Sequence, residues 1–143
     1  SVVNGFYVNV DLRPAWVSDD NDIYTYSSYQ ESCTGGAPAE ISCYYVSFSN
    51  SLGRQLTFDD LVPENDRRQV REELVNQMAR DAGKPTDEYL GWLTDYINPG
   101  AEKVFTVDDF PIAYVASYNS RLVFSYPQGS IAPVSQGCPL YFI

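Results

Sequence analysis

The stretch SCTGGAPAEISCYYVSFSNSLGRQLTFDD, from Ser32 to Asp60, constrains the fold of this chain more than any other. Tyr44, Val46 and Phe48 alternate with Cys43, Tyr45, Ser47 and Ser49, the period of a half-buried strand with one apolar face. Leu56 and Phe58 repeat that period in a shorter strand expected over Arg54 to Phe58. Opposed residues of an antiparallel pair share a face, so the pattern predicts Phe48 against Leu56 and Val46 against Phe58. That register leaves the three-residue loop Ser51-Leu52-Gly53, which needs a positive φ at its last position, where Gly53 carries no Cβ penalty.

The flanking sequence continues in the same period. Phe6, Val8, Val10 and Leu12 share one face of a first strand and Tyr7, Asn9 and Asp11 the other. Arg13-Pro14 is expected to break it, because proline cannot donate into a ladder, with Ala15-Trp16-Val17 as a short continuation. The acids of Ser18 to Asp22 lack the spaced ligands, central glycine and distal glutamate of a calcium loop, and the segment reads as a turn. Ile23 to Gln30 is a tyrosine-rich strand whose register against Ser42 to Ser49 is not set by pattern, since apolar residues sit on both faces.

From about Glu64 to Ala82 the period changes to three and four residues. Val70, Leu74 and Met78, with Val75, Ala79 and Ala82 beside them, form the apolar stripe of a helix that Gly83-Lys84-Pro85 terminates. Thr86 reads as the N-cap of a second helix, about Asp87 to Ile97, stopped by Asn98-Pro99-Gly100. Lys103 to Val107 is expected as a strand. Ile112 to Tyr118 and Arg121 to Tyr126 flank Asn119-Ser120, and a two-residue turn there pairs Val115 with Phe124, Ala113 with Tyr126 and Ser117 with Leu122. Leu140 to Ile143 would be the last strand. The expectation is a single α+β domain spanning residues 1–143, an antiparallel β-sheet with two consecutive helices packed on one face.

Composition narrows the chemistry. Nine basic residues against nineteen acidic ones give a net charge of −10, which argues against nucleic acid and against anionic lipid as partners. No apolar run is long enough to insert this segment into a membrane. The chain has no histidine, which removes His-based nucleophilic systems and His metal sites, and neither phosphate-loop nor dinucleotide glycine motifs occur. No metal or nucleotide cofactor is expected. Carboxylate chemistry survives: a glycan hydrolase could draw on Asp59-Asp60 or Asp108-Asp109. Adjacent strand residues point to opposite faces, however, and each pair stands where a turn or helix entry wants aspartate, so a non-enzyme is expected.

Three cysteines leave several pairings open. Cys33 and Cys43 flank the Gly35-Gly36 loop on strands expected to be neighbours, where a cross-strand disulfide is geometrically feasible. Cys138 is buried, a thiol, or the partner of either. The twelve tyrosines exceed what one core of this size easily satisfies, and tyrosine gives rigid contact area at low entropic cost. The expected registers put Tyr7, Tyr45, Tyr114 and Tyr118 on the face opposite the core, as a candidate binding surface.

Thr34-Gly35-Gly36-Ala37, the alternating strand after it, and Gly53 to Leu61 (GRQLTFDDL) together resemble a bacterial domain of unknown function. That domain occurs in RsiV-type anti-sigma factor ectodomains, beside PdaC-type polysaccharide deacetylase domains and in envelope lipoproteins. Where the family carries histidine after its Gly-Gly-Ala, this chain has Pro38. Tyr126-Pro127, Ile131-Ala132-Pro133 and Gly137 are similar to the family's closing signature, with Gln128-Gly129 in place of the usual Tyr-Glu. The resemblance implies an extracytoplasmic setting, periplasm or cell surface, with anchoring through a further N-terminal segment. It also implies a non-catalytic binding or sensing role toward a protein such as lysozyme or toward cell-wall glycan. The charge adds that a protein partner would be basic. A structural accessory domain of a larger lipoprotein is the competing expectation.

Overall fold

Two long strands open the fold. In the computed structural model, which describes residues 6–35 and 39–143, β1 (Phe6–Val17) and β2 (Ile23–Thr34) pair antiparallel with Tyr7 opposite Cys33 and Val10 opposite Gln30. Pro14 does not break β1 as expected. The ladder absorbs it as an irregularity between Pro14 and Trp16, which an edge strand tolerates because its outer N–H groups have no ladder to serve. β3 (Glu40–Ser49) pairs with β2, placing Val46 opposite Tyr26 and Cys43 opposite Tyr29, and β4 (Arg54–Gln55) completes a sheet of order β1-β2-β3-β4.

The β3–β4 register differs by one residue from the expectation. Phe48 opposes Gln55, not Leu56, and the loop runs from Asn50 to Gly53, with Gly53 at φ 66°. The cause lies just downstream. Thr57 and Asp60 form a reciprocal capping box, the Thr57 hydroxyl accepting from the Asp60 N–H and the Asp60 carboxylate accepting from the Thr57 N–H at 2.7 Å. The chain must leave the strand at Leu56 to make it, and Phe58 starts a helical turn, α1 (Phe58–Leu61), instead of ending a strand. A one-residue slip moves side chains to the other face. Leu56 is accordingly buried while Phe48 is 40% exposed.

A 3-10 turn (Glu64–Asp66) leads into α2 (Arg67–Asp81), and α3 (Thr86–Ile97) follows after Gly83 at φ 68°. Pro85, not Thr86, occupies the N-cap of α3. The Thr86 hydroxyl donates instead to Asn76 Oδ1 at 2.8 Å, joining the two helices. Lys103 to Val107 is not a strand. Asp109 folds Thr106 into a turn, and the Arg71 guanidinium ties the segment to α2 by donating to the carbonyls of Phe110 and Val107 while lying 5.2 Å from the Phe58 ring centroid.

β5 (Tyr114–Tyr118) and β6 (Arg121–Ser125) pair Val115 with Phe124 and Ser117 with Leu122, as the pattern predicts. Asn119 and Ser120 both have positive φ, the type I′ turn that suits a two-residue hairpin. β7 (Leu140–Phe142) adds to β6, so the strands form two antiparallel sheets, of four and three strands, in an α+β fold. The helices cover one face of the three-stranded sheet. There Leu74, Val75 and Met78 of α2 and Leu93 of α3 form one core with Val115, Phe124 and Tyr126.

The other face of that hairpin is buried too. Ala116, Val123 and Ser125 have essentially no exposure. Ser117 donates its N–H to Ser47 Oγ at 2.9 Å and accepts from Thr25 Oγ1, and the two hydroxyls bond each other at 2.6 Å. With Thr25 as donor to the carbonyl, Ser47 must donate to Thr25, so every polar group of this buried triad is satisfied. The three-stranded sheet is therefore a middle layer, helices on one side and the β2–β3 part of the first sheet on the other.

Candidate functional site

The alternation of β1 puts Phe6, Val8, Val10 and Leu12 on one face, and among the described residues no element covers them. They are 54%, 68%, 63% and 57% exposed. β1 stands at the end of its sheet, so among the described residues its outer backbone edge has no neighbouring strand. Long apolar edges template pairing with another chain, and proteins blunt them with lysine, charge or proline. Here only Asp11 and Arg13 interrupt the strand's uncharged run before Pro14, and they neutralise one another at 2.8 Å. Around this neutral strand the first sheet and its turns are acidic. From Phe6 to Gly53 the carboxylates are Asp11, Asp19, Asp20, Asp22, Glu31 and Glu40, and Arg13 is the sole cation.

The four tyrosines do not assemble into one surface. Tyr45 meets Tyr118 edge to face at 6.0 Å and Tyr114 stacks on Tyr44 at 4.2 Å, so three of them are half-buried between the two sheets. Tyr7 sits at the far end of β1, donating to Glu31 at 2.5 Å. That hydrogen bond to a carboxylate is the main reason its hydroxyl is pushed up to about 12. The face opposite the helices is the inter-sheet seam, which is why tyrosines placed there are partly covered.

Each aspartate pair has a structural task. Asp60 takes a bidentate contact from Arg54 and caps α1, and Arg54 with the Thr57 donors holds its carboxyl well below the usual range. Asp59 pairs with Arg67, Asp108 with Arg68, and Asp109 accepts from both the N–H and the hydroxyl of Thr106. In the polar loop, Asp22 reaches across to the next hairpin and accepts from the Ser51 N–H at 2.7 Å, which lowers its pKa.

The cysteine expectation needs correction. Cys33 opposes Tyr7 and Cys43 opposes Tyr29, so on the β2–β3 ladder the two are offset by four residues, about 13 Å along the strand. A disulfide needs Cα atoms within about 7 Å. What lies beside Cys43 is Cys138, whose Sγ accepts from the Cys43 N–H at 3.1 Å.

Of the motif positions, Thr34 ends β2 and Gly35 turns with φ 63°, while Gly36, Ala37 and Pro38 lie outside the described residues. Tyr126 is buried, its hydroxyl donating to the Pro111 carbonyl at 2.8 Å, and burial pushes its pKa far up. The Tyr96 hydroxyl reaches the carbonyls of Gly129 and Ala132, pinning the segment that carries Pro127, Ile131 and Pro133 to α3. Gly137 leaves that segment at φ 73°. Beside it a cleft of about 340 Å³ is lined by Ile131, Tyr89, Trp92, Asp81, Lys84 and Gln136. Trp92 belongs to a ladder of three rings on α3, with Tyr89 and Tyr96.

No protein-family model matches the chain, and no curated protein matches it. Among the described residues no helix is long and apolar enough to cross a membrane.

Proposed function

We propose that this is a non-catalytic, extracytoplasmic binding domain that docks a basic protein along the outer edge of β1. One observation carries the reading: Phe6, Val8, Val10 and Leu12 are exposed together on an edge strand whose outer side meets no strand among the described residues. An extended segment of the partner adds to the edge by main-chain hydrogen bonds, and the apolar stripe supplies the desolvated centre that dominates binding energy. The acidic surround favours a cationic partner and speeds its approach. The extracytoplasmic setting rests on the resemblance to RsiV-type ectodomains through the Thr34-Gly35 loop and the Tyr126 to Gly137 segment. Titration against lysozyme, a basic envelope-directed protein, at about 0.05 M and about 0.5 M salt tests the reading. The expected result is binding that weakens with salt and is lost in the V8K/V10K variant. Equal binding by that variant would overturn it.

A second reading is favoured by the Trp92 cleft, where an aromatic ring, Asp81, Lys84 and Gln136 converge on a space of sugar size. Cell-wall glycan is the ligand class that fits. Binding of peptidoglycan fragments that W92A abolishes and V8K/V10K leaves intact would select it. Failure of both ligands would leave an accessory domain whose β1 face is covered by another part of a longer chain.

A further inference from the structure

The first sheet has a second edge, and the C-terminal segment closes it. Beyond the short β4 pairing, the outward N–H groups of β3 at Ile41, Cys43 and Tyr45 meet no strand among the described residues. They donate instead to three side chains: Gln128 Oε1 at 3.2 Å, Cys138 Sγ at 3.1 Å and Ser125 Oγ at 3.2 Å. The Cys138 thiol in turn points at the Ile41 carbonyl, 3.7 Å away. The sulfur of Cys138 is thus held against the backbone of Cys43, one residue's length from its side chain.

We propose that Cys43 and Cys138 form a disulfide that fastens the C-terminal segment across the open edge of β3. The inference rests on the extracytoplasmic part of the functional reading only for its oxidant, a disulfide-bearing oxidoreductase or small-molecule disulfide. One thiolate attacks a sulfur of that disulfide and expels a thiolate; the second cysteine then attacks the mixed disulfide. The Cys43–Cys138 bond forms, two protons leave, and the oxidant's disulfide takes two electrons and becomes two thiols. Sequence distance makes the bond consequential. It would close a loop running from β3 to the last strand, enclosing both helices and the β5–β6 hairpin, and long loops restrict the unfolded chain most. Burial and the neighbouring Cys138 push the Cys43 thiol up to about 11, so oxidation by a disulfide donor is slow at neutral pH and accelerates as pH rises toward that value.

The test uses the whole chain incubated with glutathione disulfide, alkylated without reductant and digested after glutamate, because cleavage following Glu40 separates Cys33 from Cys43. The expected product is one linked pair, the Cys43 peptide joined to the Cys138 peptide, which dithiothreitol releases. Oxidised protein should melt on the order of 10 °C above reduced protein, and C138S should match the reduced form in both conditions. Alkylation of both Cys43 and Cys138 after oxidation, or a link that includes Cys33, would overturn the proposal. If C138S fails to fold, wild type with and without dithiothreitol decides alone, since equal melting temperatures contradict it. Lysozyme binding is read separately, so loss of the link and loss of the docking reading remain distinguishable.

Discussion

Asp60 shows how a few side chains decide where a strand stops. Its carboxylate accepts from Arg54, the Thr57 N–H and the Thr57 hydroxyl, and these contacts hold its pKa well below the ordinary carboxylate value. A depressed pKa contributes stability that is complete above the unfolded value, near 3.9, and is lost as pH falls through the folded one. D60N should therefore melt below wild type at pH 7, with the gap closing progressively below about pH 4; an undiminished gap at pH 2 would contradict the assignment. Thr25 makes a different case, since its hydroxyl is buried with Ser47 and the Ser117 carbonyl. T25V keeps the shape but strands those partners, and should cost about 1–3 kcal/mol in denaturant unfolding. The capping spacing Thr57-x-x-Asp60 was on view in the sequence. It lost to a two-residue alternation of Leu56 and Phe58 that fits a strand equally well, because local pattern does not rank a cap against one more rung of ladder. The Thr25–Ser47–Ser117 triad had no such signal, since its members are far apart in sequence and polar residues inside a strand read as solvent-facing.

At the scale of elements, the β5–β6 hairpin was legible because its turn and its apolar pairs demand the same register. Ser120 sits at φ 63°, a conformation that costs a residue with a Cβ. S120G supplies the Asn-Gly pair that type I′ turns prefer and should raise stability by up to about 1 kcal/mol, less what glycine adds to the freedom of the unfolded chain. Destabilisation would mean that the Ser120 side chain has a role unrelated to the turn. Strand β1 was legible in the opposite sense. Alternation placed Phe6, Val8, Val10 and Leu12 together, but periodicity reports which residues share a face and not whether anything covers it. The tyrosines were misjudged for the same reason: the outer face of β5–β6 packs on the first sheet, so Tyr114 and Tyr118 spend part of their surface there. Arg71 joins α2 to the segment that replaces the expected strand at Lys103 to Val107. R71K removes the planar fork that reaches the Phe110 and Val107 carbonyls, and amide exchange should quicken in residues 103–110 while the helix itself stays protected.

The molecule as a whole is layered from helices to the middle sheet to the four-stranded sheet, and its two sheet edges are treated differently. The β3 edge is sealed by Ser125, Cys138 and Gln128, whereas β1 has an outer edge with no strand beside it among the described residues, and an apolar face in acidic surroundings. On the proposed reading, a chain that closes one edge with three side chains and leaves the longer, more apolar one without a strand among its described residues keeps that edge for a partner. Amide hydrogen exchange of β1 with and without saturating lysozyme tests this most directly. The account predicts that the outward amides between Phe6 and Leu12 slow in the complex, while α3 and the Trp92 cleft are unchanged. Unaltered exchange throughout β1 in a complex that demonstrably forms, with protection confined to the helices or the cleft, would contradict it.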